Sequence, residues 1–70
     1  MPTGDLDQTR LALAALTACI VRTLGVLDTD FPRVFERHLE EAYAQLREMP
    51  GGNVGALETL AWTRDLVKKL

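Results

Sequence analysis

From Leu11 to Val21 the chain reads LALAALTACIV, an apolar run broken by a single polar side chain, Thr17. Wound at 3.6 residues per turn, Leu6, Leu13, Leu16, Ile20, Leu24 and Leu27 fall on one stripe. Their i, i+3, i+4, i+7 spacing is that of a core-facing surface, so the pattern predicts a first helix over about 6–24 with this stripe turned inward. The opposite side is not charged. It carries Leu11, Ala14, Ala15, Ala18, Cys19 and Val21, bordered by Arg10 and Arg22. A helix apolar nearly all round calls for cover all round. Ala14 with Ala18, and Ala15 with Cys19, stand four apart and are small enough for a second helix backbone to approach closely. The same alanines are also explained by helix propensity alone.

Local chemistry sets the expected boundaries. Pro2 and Gly4 oppose regular structure, so residues 1–4 are expected to fray. Asp5 is a good N-cap, with Gln8 completing a capping box and Asp7 placing negative charge in the first turn. Gly25 is expected to close the helix in a left-handed conformation that returns Val26 against Val21. Asp28, Thr29 or Asp30 then caps a second helix over 31–49, with Pro32 confined to its first turn. Met49-Pro50-Gly51-Gly52-Asn53 is the strongest punctuation in the chain. Pro50 stops the second helix, the glycines reverse the chain, and Asn53 is expected to cap a third helix over 54–69.

The second helix is the clearest amphipath. Phe31, Val34, Phe35, Leu39, Ala42, Tyr43, Leu46 and Met49 take one side, and Arg33, Glu36, Arg37, Glu40, Arg47 and Glu48 take the rest. It should face solvent, with Arg–Glu pairs three or four apart worth about 0.2–0.5 kcal/mol each. The third helix confines its charge to Glu58, Asp65, Lys68 and Lys69. Leu57, Leu60, Trp62, Leu66, Val67 and Leu70 cover a wider arc than one groove between two helices accommodates. Part of that arc is expected to meet another subunit. Trp62 is its natural anchor, being large and amphipathic, although packing at the bundle's edge explains it equally well.

Seventy residues make one domain, and a chain of this size buries only about 60% of its unfolded surface. Small domains often add disulfides, a metal or a partner. A single cysteine, Cys19, forbids an intrachain disulfide and a cysteine-cluster metal site. Its place in the apolar run points to a buried structural thiol and a reducing compartment. Partner burial is then the favoured supplement. The net charge of −2, with scattered basic residues, argues against a general polyanion-binding surface. Asp5 and Asp7 precede the apolar run where a secretory signal would be basic, and the run is about half the roughly 20 residues a bilayer needs. The expectation is a cytoplasmic protein; abundant Ala, Leu and Arg hint at a bacterial genome rich in GC.

His38 and Glu41, three apart on the second helix, invite a metal reading. Carboxylate-bridged bundle sites use the order Glu-x-x-His on paired helices, and here the order is reversed and no second pair exists. The chain has no serine, no phosphate-cradling glycine loop, and no signature of a nucleophile with its base. An enzyme is not expected, nor is a cofactor. The reading is therefore all-α: a small antiparallel three-helix unit that dimerises into a larger helical bundle. Its expected function is protein–protein interaction, as a regulatory, adaptor or structural subunit that self-associates through helices 1 and 3, with Leu11, Ala14, Ala15, Ala18, Trp62, Leu66 and Leu70 as interface candidates. A DNA-binding regulator is the second reading, opposed by Glu36, Glu40 and Glu48 among the arginines of helix 2. A metal or small-ligand site around His38 and Glu41 is the third.

Overall fold

The structure of the chain, a computed structural model, describes the backbone of residues 3–69 and the side chains of residues 7–69. It is all-α, with α1 (Thr3–Leu27), α2 (Phe31–Glu48) and α3 (Val54–Lys69). Side-chain neighbours fix the helix directions. Gly25 near the end of α1 meets Pro32 at the start of α2. Glu36 of α2 pairs with Lys68 at the end of α3 at 3.2 Å, and Arg10 early in α1 lies 3.8 Å from Glu58 early in α3. The chain thus runs up, down and up. The α1–α3 contact is the most extensive.

Both expected ends of α1 are corrected. The helix begins at Thr3, ahead of Asp5, so Asp5 is not its N-cap and Gly4 belongs to the helix; Met1 and Pro2 lie outside the described residues. At the other end α1 passes through Gly25 to Leu27, and Gly25 is not left-handed. Gly25 serves close packing instead: a Cβ there would lie 2.8 Å from Pro32 Cγ. The reversal comes later. The Asp28 N–H still donates to the Leu24 carbonyl at 2.9 Å, and Asp28 Oδ1 accepts from the Asp30 N–H at 3.0 Å. This Asx turn leads into α2 with Asp30 at the N-cap position and Pro32 in the first turn.

Met49, the C-cap of α2, has the extended ψ of 143° that a following proline imposes. Gly51 then takes φ +102°, which an L side chain rarely adopts. Asn53 sits where α3 starts, its carbonyl accepting the Leu57 N–H at 2.9 Å. Its side chain, however, serves α2. Asn53 Nδ2 donates to the Leu46 carbonyl at 3.0 Å, which also accepts the Met49 N–H at 3.3 Å, and to the Met49 carbonyl at 3.5 Å, adding side-chain bonds at the end of α2.

The molecule is a slab. Its Cα extents are 39 × 27 × 14 Å, so one dimension is about half the next. Among the described residues the fully covered ones are Ala14, Ala18, Val21 and Thr63, and α2 contributes none. Thr63 is accommodated because its hydroxyl donates to the Thr59 carbonyl at 2.8 Å.

Candidate interaction surface

The face of α1 that packs inside is the reverse of the one its leucine stripe predicts. Ala14, Ala18 and Val21 are at most 1% exposed, whereas Leu13, Leu16, Ile20 and Leu27 are 54%, 62%, 58% and 81% exposed, and Leu24 is also exposed. The physical reason lies in the helix contacts. The inward line runs Arg10, Ala14, Ala18, Val21, Gly25, and its small side chains bring α1 close to its neighbours. A Cβ on Gly55 of α3 would lie 2.5 Å from Arg10 Nη2, and one on Gly25 would meet Pro32. Leucines at those positions would hold the helices apart and lose the dense contact that favours packing.

The outward face of α1 is consequently a continuous apolar strip along most of the molecule. Beside the exposed stripe lie Leu11, Val26, Ala12 and Cys19, all exposed. Cys19 is not the buried thiol that its apolar neighbours suggest. It borders an open hollow of about 330 Å³ with Arg22, Thr23 and Val26. Thr17 and Thr23 bond back to the carbonyls of Leu13 and Cys19 at 2.8 Å, so neither hydroxyl is a loose polar group beside the strip. The segment Asp7–Leu27 is long and apolar enough to cross a membrane; its most apolar 18-residue stretch has a mean hydropathy of 1.7 and is 17% buried.

The interface candidates divide. Leu11 lies exposed at the strip's edge, and Ala15 is half-buried. Ala14 and Ala18 are closed off inside the chain, against its own helices, and present nothing to a second copy. Trp62 and Leu66 are half-buried, as are Leu57, Leu60 and Val67, so the wide arc of α3 is largely covered by α1 and α2. Leu70 lies outside the described residues. The exposure of Leu13, Leu16 and Ile20 is not legible from periodicity, because the same stripe that forms this surface has the spacing of a core face.

The residues of the alternative readings lie on α2 and α3. His38 and Glu41 are both exposed, and among the described residues no three His, Cys, Asp or Glu side chains come together. Arg33, Arg37 and Arg47 are exposed on α2, with Arg33 paired to Asp30 at 3.2 Å, and Arg64 of α3 pairs with Asp65 at 3.6 Å. Arg33 and Arg64 thus each keep a carboxylate beside them. A cavity of about 140 Å³ lies between α2 and α3, lined by Leu39, Glu40, Tyr43, Leu60, Ala61 and Arg64. Ligand pockets usually hold about 300–1,000 Å³. Comparison of the chain with protein-family models, with curated proteins and with solved structures gave no match.

Proposed function

We propose that this chain is a protein–protein interaction subunit that self-associates through the outward face of α1. The observation that supports this reading is the inversion of α1, which covers its small side chains and leaves Leu13, Leu16, Ile20 and Leu27 in water. A contiguous apolar strip of this kind marks an interaction surface on a soluble protein. The recognition mode is helix against helix, with anchors at i, i+3, i+4 and i+7. Helix α3, expected to share the interface, is a support for α1 in this reading, because its apolar arc is already half-covered.

Solution mass tests the proposal directly. Wild-type protein measured by light scattering should exceed the 7.8 kDa of one chain. Leu16→Glu should return it to a monomer with its helical circular dichroism retained, since Leu16 makes little contact inside the chain. A wild type that stays monomeric at all concentrations would overturn self-association.

A further inference from the structure

We infer that α2 is a strap that opens as one unit while α1 and α3 stay packed against each other. The opening bares a second apolar surface, distinct from the outward face of α1, and it is independent of what that face meets.

The three helices are unequally attached. Ala14, Ala18 and Val21 of α1 and Thr63 of α3 are fully covered, whereas no described residue of α2 is. Phe31, Val34, Phe35, Leu39, Tyr43 and Leu46, its large apolar residues, reach only half-burial. The cavity of about 140 Å³ thins the contact further, since Leu39 and Tyr43 border it on one side and Leu60 and Ala61 on the other. Side chains that line a void lose the dispersion contacts that close packing provides. The ion pair that reaches from α2 to α3, half-buried Glu36 with exposed Lys68, is of the kind that contributes little. By contrast, α1 and α3 share the most extensive contact, with the Arg10 guanidinium lying over Gly55 and 3.8 Å from Glu58.

Both connections allow α2 to leave. At its C-terminal end, Gly51 and Gly52 have open space where a side chain would start, so this turn is not wedged against another element. At its N-terminal end the turn from Asp28 to Asp30 is exposed, and Pro32 against Gly25 is the contact that must part. A detached helix of 18 residues is marginal in water, so α2 melts as it leaves. Because α1 and α3 need not separate, this opening exposes less surface than unfolding of the whole chain and requires less free energy. On α3 it uncovers Leu60 and Ala61, the residues that border the cavity.

Native-state hydrogen exchange, read amide by amide by NMR in rising sub-denaturing urea, tests the strap. Amides of α2 should show protection lower by about tenfold or more than the best-protected amides of α1 and α3, and their exchange should rise less steeply with urea because less surface is exposed. Equal protection and equal urea dependence in all three helices would overturn the inference, since α2 would then open only with the whole chain. Arg10→Ala, compared at the same protein concentration, supplies a second test. It removes a tie between α1 and α3 that persists when α2 opens, so exchange in α1 and α3 should quicken several-fold while α2 keeps its wild-type rates. Acceleration of α2 by the same factor as α1 and α3 would overturn the inference.

Discussion

Asn53 shows how one residue's role depends on which helix end lies within reach. By position it opens α3, and Asn and Asp are equally good there. By contact its amide closes α2, donating to Leu46 and Met49. The two roles separate experimentally. A carboxylate has no N–H to give and is disfavoured at the negative end of a helix. Asn53→Asp should therefore cost about 1 kcal/mol in urea unfolding, close to the cost of Asn53→Ala. If the side chain capped α3 instead, the aspartate would be neutral. The residue type was legible as a cap in the sequence; which helix it caps depends on the φ +102° turn at Gly51 that carries it back over α2.

At the scale of the element, α1 illustrates the limit of periodicity. A helical pattern has a direction only when one side is polar, as in α2, where the exposed and half-buried positions follow the sequence. On α1 both faces are apolar, and burial of large side chains competes with close approach of small ones. Close approach prevails. In the monomeric Leu16→Glu background, Ala18→Leu should then destabilise by about 1–3 kcal/mol through overpacking against the neighbouring helices. Ile20→Ala should change stability by no more than about 0.5 kcal/mol, as for a surface position. The leucine-inward orientation requires the reverse order, so thermal or urea melts of the pair decide between them.

The whole molecule has little interior of its own. A slab with four fully covered side chains among those described cannot draw much stability from a central core, and α2 is held mainly by half-buried apolar contacts and by the pair between half-buried Glu36 and exposed Lys68. Such a pair is worth no more than about 1 kcal/mol and is weakened by salt. Burial of the α1 strip by a second copy would couple folding to association. The melting temperature should then rise with protein concentration, on the order of 5 °C for each tenfold increase. High salt should leave the association intact, because the seam is apolar. A melting temperature independent of concentration would mark the chain as self-sufficient.

The sequence by itself determined the number of helices, their order and the boundaries of the second and third to within a residue. Those features are written in short-range chemistry: Asp28 to Asp30 before Pro32, and Pro50-Gly51-Gly52 after Met49. The extent of α1 was less legible, because Gly25 allows a helix to end and equally allows a proline ring to pack against it. The tertiary structure alone decided which face of α1 is inside, and with it the place of the candidate surface. Hydrophobicity is a property of each residue, but close approach is a property of pairs of helices. Ala14, Ala18 and Gly25 acquire their role only when α3 and Pro32 arrive beside them, and that arrival leaves Leu13, Leu16 and Ile20 facing out.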